Sequence, residues 1–138
     1  MQAQLFQDRF GVVLYDDERN ILELLWYPET EFMTDDDYMG WLERLGLSAE
    51  QHRVQFIVID TLAFKHHPGT HTGPWRDEHI IPLYNRAGVK KFAFLLSPGT
   101  APKTEPAIEE PAKFPTGYFD SREQIDHWFM SYSGARKG

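Results

Sequence analysis

The sequence predicts an α/β domain: a mixed sheet of four to five strands, with an antiparallel N-terminal hairpin and parallel crossover units, flanked by three to four helices. Two apolar runs near the start are separated by a short polar turn. Two later runs are apolar without alternation, as in strands buried on both faces. Segments of helical periodicity with capping signals lie between and after them.

The opening runs are Phe10-Gly11-Val12-Val13-Leu14-Tyr15 and Ile21-Leu22-Glu23-Leu24-Leu25-Trp26. Asp16-Asp17-Glu18-Arg19-Asn20 between them is turn-like, which makes a β-hairpin. Thr34-Asp35-Asp36-Asp37 then reads as a helix start, with a hydroxyl cap and acids at the positive end of the dipole. Tyr38, Met39, Trp41, Leu42 and Leu45 keep helical spacing. Gly46 predicts a stop or break, after which Ser48 and Gln51 could restart a short turn.

Phe56-Ile57-Val58-Ile59-Asp60 is the first doubly buried strand. A polar loop from Thr61 to Gly73 leads to Pro74-Trp75, with proline suited to the first helical position. That helix runs through Ile80, Ile81, Leu83 and Tyr84 to Ala87-Gly88, and Pro82 inside it predicts a kink. Val89 to Leu96 is the next buried strand. Ser97–Pro115 carries prolines at 98, 102, 106, 111 and 115, which argues against regular structure and predicts a long functional or mobile loop. A short strand over Phe114 to Phe119 precedes a last helix capped by Asp120-Ser121, with Gln124 completing a capping box. Ile125, Trp128, Phe129 and Tyr132 share one face of that helix, and Gly134–Gly138 reads as a frayed tail.

A length of 138 residues favours one domain, residues 1–138, able to bury roughly two-thirds of its unfolded surface. With 41% apolar and 25% charged residues, the composition is that of a folded globular chain. The absence of cysteine excludes disulfides, thiolate nucleophiles and zinc-thiolate sites, and fits a reducing, cytoplasmic setting. No secretory leader is visible at the N-terminus, and no apolar run approaches the ~20 residues of a membrane span. A net charge of −7, with only isolated basic pairs at Lys90-Lys91 and Arg136-Lys137, argues against nucleic acid and anionic membranes as partners. In sheets with parallel crossovers, ligands meet the carboxyl ends of the strands. The 61–73 and 97–114 loops leave those ends and mark the predicted functional face.

Several residues in this order resemble the STAS-like family, related to the SpoIIAA-like bacterial anti-sigma-factor antagonists. They are Phe56-Ile57-Val58-Ile59-Asp60, Trp75, Ile81-Pro82-Leu83 with Ala87-Gly88-Val89-Lys90-Lys91, the strand Phe92-Ala93-Phe94-Leu95, and Tyr118-Phe119-Asp120-Ser121 before Trp128. The resemblance spans about Gly11 to Phe129. It implies a mixed sheet flanked by helices, used for binding protein or ligand and not for chemistry. Phosphorylatable members open the helix after the central strand with an Asp-Ser-Ser-Gly-like element. Thr70-His71-Thr72-Gly73 stands there in this chain; Thr72 and Gly73 match, and the acidic lead and first serine have no counterpart.

The candidate binding residues are Asp60, Thr70, His71, Thr72, Gly73 and Trp75. Thr70 and Thr72 precede a helix N-terminus, where an anion or phosphate is favoured, although hydroxyl capping by Thr72 is the commoner use. His66, His67 and His71 are candidate metal ligands, since neutral imidazole binds metals readily. Their spacing fits no helical H-E-x-x-H pattern, adjacent histidines face one ion poorly, and a hydrogen-bonded polar loop is the favoured reading. Asp60 could serve as acid or base, yet no nucleophile or second carboxylate accompanies it in sequence. Asp35-Asp36-Asp37 lacks the ligand spacing of a calcium loop. The four tryptophans read as core anchors.

These readings converge on a non-enzymatic regulatory domain binding an unknown protein or small ligand, with no cofactor. A small metal-dependent enzyme built on the histidine loop, with Asp60 moving a proton, is the alternative. A homodimer through the exposed edge of the opening hairpin is a further possibility.

Overall fold

The computed structural model describes residues 2–135. Among them the strands are β1 (Gln2–Asp8), β2 (Gly11–Asp16), β3 (Ile21–Trp26), β4 (Phe56–Asp60), β5 (Lys91–Leu95), β6 (Ala107–Ile108) and β7 (Pro115–Phe119). The helices are α1 (Asp35–His52), α2 (Thr72–His79), α3 (Ile81–Ala87) and α4 (Arg122–Met130), with a short 3-10 turn at Pro28–Phe32. One seven-stranded sheet runs in the order β1-β2-β3-β4-β5-β7-β6. β3, β4, β5 and β7 are parallel neighbours, while β1–β2, β2–β3 and β6–β7 are antiparallel.

The α/β class, the opening hairpin and the parallel crossovers appear as predicted, but the sheet has seven strands where four to five were expected. β1 escaped notice because its sequence, QAQLFQD, lacks apolar alternation and most of it is exposed. A register shift between Gln4 and Phe6 further blurs its period. β6 has only two residues, both exposed. Because β1 pairs with β2, the free edge at this end belongs to β1 and not to the predicted hairpin.

α1 starts as read. Thr34 accepts from the Asp37 amide, and the Asp37 carboxylate accepts from the Thr34 amide. It does not stop at Gly46, nor does Ser48 restart a turn; one 18-residue helix runs on to His52, closed by Arg53 at φ 48°. Gly46 is there for space: a Cβ on it would lie 2.6 Å from Leu83 Cδ1, so α1 and α3 meet where a side chain is missing. Pro82 goes further than a kink. It separates α2 from α3 at Ile80, so one helical arm becomes two. Gly88, at φ 88°, ends α3 as expected.

β4 is buried along its whole length because both faces are covered. Leu22, Leu24, Ile57, Ile59 and Phe92 face the larger core with α1 and α3. Phe56, Val58, Ala93 and Leu95 face a second core with Ile125 and Phe129 of α4. The segment 97–115, expected to be mobile, carries two anchors, Ala112 and Phe114, both buried in the larger core. Asn85 fastens it further, donating to the Pro111 carbonyl and accepting from the Lys113 amide. Of the predicted frayed tail, Gly134 accepts from the Gln55 side chain and Ala135 packs on the second core, while 136–138 lie outside the described residues. No helix among the described residues is long and apolar enough to cross a membrane.

Candidate functional site

Three parallel strands end in side chains that converge on the α1–α3 face of the sheet. Trp26 ends β3, Ile59 and Thr61 lie at the end of β4, and Phe92 and Phe94 come from β5. Register sets this convergence, since Leu24 pairs with Ile59 and Ile59 with Phe94, so alternate residues share one face. α1 adds Tyr38 and Leu42, the 61–73 loop adds Phe64, α2 adds Arg76 and α3 adds Tyr84. Together they enclose a cavity of about 90 Å³. Its walls are aromatic: Trp26 lies 5.0 Å from Phe64 and 6.1 Å from Tyr38, ring centre to ring centre, and Phe92 lies 5.2 Å from Phe94.

The polar groups of this cavity are sparse and unusual. Tyr84 is fully buried, and its hydroxyl has no hydrogen-bond partner. Burial pushes that hydroxyl up to about 12. Burial also raises Tyr38. Arg76 is half-buried, with its guanidinium 5.5 Å from the Phe92 ring centre, and it makes no ion pair among the described residues.

The histidine loop borders this cavity and is tied down by a residue that the sequence marked only as a capping acid. His66 Nε2 lies 2.8 Å from Asp35 Oδ1, and the Gly69 amide donates to the same oxygen at 3.2 Å. His71 Nε2 is 3.8 Å from Asp35 Oδ2. The Gly69 amide, then the His66 ring, hold the Asp35 carboxyl below the usual carboxylate range. The His66 ring also sits 5.6 Å from Tyr38 and 6.2 Å from Phe64, which joins the loop to the aromatic wall.

The sequence candidates therefore fall into different places. His66 and His71 meet at Asp35, while His67 is exposed. Among the described residues, no group of three His, Cys, Asp or Glu side chains is placed to hold a metal ion. Thr70 and Gly73 are exposed, and Trp75 is half-buried beside His79, their rings 5.9 Å apart. Thr72 is buried and does not cap α2. Its hydroxyl donates to the Gly69 carbonyl at 2.8 Å, and the cap position is taken by His71.

Asp60 does not join this group. Alternation along β4 turns its side chain to the α4 face, where Arg122 donates to it at 2.7 Å. The same guanidinium makes a two-pronged contact to Glu23, at 3.1 and 2.6 Å. Glu23 and Asp60 are nearly buried, and the hydrogen bond to Glu23 pushes the Arg122 guanidinium further up. This is a clamp joining β3, β4 and α4.

The 97–114 loop also departs from the expected single face. Its first half and α4 flank an open groove of about 1080 Å³ lined by Lys103, Glu105, Phe119, Glu123, His127 and Trp128. Its second half packs on α3, so the two loops border separate concavities. No family model, no curated protein and no solved structure matches this chain.

Sequence reasoning missed Trp26, Tyr38, Phe64, Arg76, Tyr84 and Phe94. The available signal was an aromatic residue near the ends of two parallel strands on either side of β4, Trp26 of β3 and Phe94 of β5, read there as core.

Proposed function

We propose that this chain is a non-enzymatic binding domain of STAS-like type, taking a small ligand at the carboxyl ends of its parallel strands. The observation that carries this reading is the aromatic cavity there, walled by Trp26, Phe64 and Phe94 and bordered by the histidine loop. Binding at strand ends follows the general rule for sheets with parallel crossovers. The STAS-like reading is supported by α2, which follows the central strand β4 and opens on Thr72-Gly73, where the resemblance places its switch element. Thr72 is buried and bonded to Gly69, which favours ligand binding over phosphorylation at that position.

The reading is tested by thermal melting with a panel of small carboxylates, amines and neutral aromatics. A ligand bound only to the folded state raises Tm. Leu42→Phe enlarges a wall residue of the cavity. The expected result is a Tm rise in the parent that this variant loses while remaining folded. Equal rises in both proteins would contradict the reading.

One observation favours the metal-dependent alternative, the approach of His66 and His71 to Asp35. Asp60, its proposed proton-transfer partner, faces the other side of the sheet. Calorimetric titration with zinc decides this: the binding-domain reading predicts no stoichiometric uptake, and tight one-to-one binding lost in His66→Ala and His71→Ala would favour the enzyme.

A further inference from the structure

We propose that the aromatic cavity takes a short planar carboxylate, stacked against its rings with the carboxylate held by Arg76. The inference rests on the binding-domain reading and adds the chemical class of the ligand.

Four observations converge on it. The first is shape. The buried floor is Trp26, Tyr84 and Phe92, and the half-exposed rim includes Tyr38, Phe64 and Arg76. Flat aromatic walls favour a flat occupant, because offset stacking and edge contacts need planar partners. The second is size. An apolar cavity of roughly 150 Å³ holds a benzene ring, whereas this one measures about 90 Å³. A five-membered ring or a short unsaturated chain fits, with its polar end in the mouth.

The third observation is charge. Arg76 stands at that mouth with no carboxylate partner among the described residues, held over the Phe92 ring. A guanidinium half removed from water beside an apolar cavity is a fork set for an anion, and carboxylate matches its two parallel N–H groups. Asp35, the α1 acid that meets the histidine loop, is already engaged by His66 and Gly69. The fourth is the Tyr84 hydroxyl, buried with no partner and within electrostatic reach of both Arg76 and Tyr38. Buried hydroxyls are nearly always bonded, and an orphan one lining a cavity is a group awaiting an acceptor. A ring oxygen would supply it.

The test uses 2-furoate as probe, with 2-furamide as its uncharged isostere, titrated into the full chain at constant ionic strength and followed by calorimetry and nuclear magnetic resonance. The expected result is saturable one-to-one binding of furoate in the millimolar range or tighter, at least tenfold stronger than the amide. Arg76→Gln weakens furoate by about tenfold or more and the amide by much less, as loss of a charge-assisted contact requires. Tyr84→Phe weakens furoate several-fold. Circular dichroism and Tm show whether each variant is folded, and Arg76→Lys, which keeps the charge, recovers part of the affinity. Equal binding of furoate and furamide, or furoate binding indifferent to Arg76→Gln, overturns the carboxylate assignment. If the amide binds and shifts the Trp26 indole while furoate does not, the cavity is a binding site and only the ligand class fails. If neither probe shifts Trp26, the ligand class fails too, and the fragment panel decides the binding-domain reading separately.

Discussion

Single atoms decide several properties of this chain. The Tyr84 hydroxyl is buried and makes no hydrogen bond within the protein, and an unmade buried bond is costly. Tyr84→Phe is therefore expected to stabilise the ligand-free protein by about 1 kcal/mol, measured by urea denaturation, even as it weakens carboxylate binding. A loss of stability would mean that the hydroxyl has a partner. Asp35 supplies a pH dependence. Its carboxyl lies below the ordinary value of 3.8 because Gly69 and His66 bond its charged form. A lowered folded value gives stability that is present above the unfolded pKa and is lost as pH falls through the folded one. Melting curves below about pH 4 should thus fall less steeply for Asp35→Asn than for the parent. Asp35 was legible in the sequence only as a helix-capping acid. Its second role depends on Gly69, 34 residues away, and no local pattern reports that pairing.

At the scale of elements, close approach explains what periodicity could not. A Cβ on Gly11 would stand 2.7 Å from the Leu25 carbonyl oxygen, part of the neighbouring strand's backbone. Backbone cannot rotate away, so Gly11→Ala is expected to destabilise by about 1–3 kcal/mol in urea denaturation. Gly46→Ala meets the tip of Leu83 instead, and its gain of about 1 kcal/mol in helix propensity offsets part of the clash. Gly11→Ala should therefore be the worse of the two, and the reverse order would contradict the packing described. The caps at Thr34 and Ser121, the buried runs and the disturbance at Pro82 were readable because each is written in neighbouring residues. Gly46 misled for the opposite reason. Its purpose is to admit Leu83 from another helix, and sequence records the missing side chain but not the visitor. β1 was invisible because the two residues it packs on the core, Leu5 and Phe6, are adjacent across a register shift and not alternating, and the rest of its order comes from pairing with β2.

Across the whole molecule, the two faces of the sheet have separate tasks. The α4 face carries the clamp in which Arg122 serves two nearly buried carboxylates, while the α1–α3 face carries the cavity. Arg122→Met should cost roughly 1–3 kcal/mol, below the range for a fully buried pair because the guanidinium is half exposed. Adding Glu23→Gln should recover part of that loss, and a fully additive double variant would deny the clamp. The α/β class was legible from chain order, and so was the choice of the strand ends as the place for a candidate site. The division of the two loops between two concavities was not, since Ala112 and Phe114 become anchors only once α3 and β5 are beside them. The central claim is that the cavity is the binding site, and the four tryptophans provide the most direct measurement. Trp26 lies in the cavity, Trp128 in the groove beside α4, Trp41 beneath Asp8, and Trp75 beside His79. Indole N–H shifts of nitrogen-labelled protein should be followed during titration with the fragment panel. Selective movement of the Trp26 indole is the predicted result; movement of Trp128 with Trp26 unmoved would place binding in the groove and contradict the account.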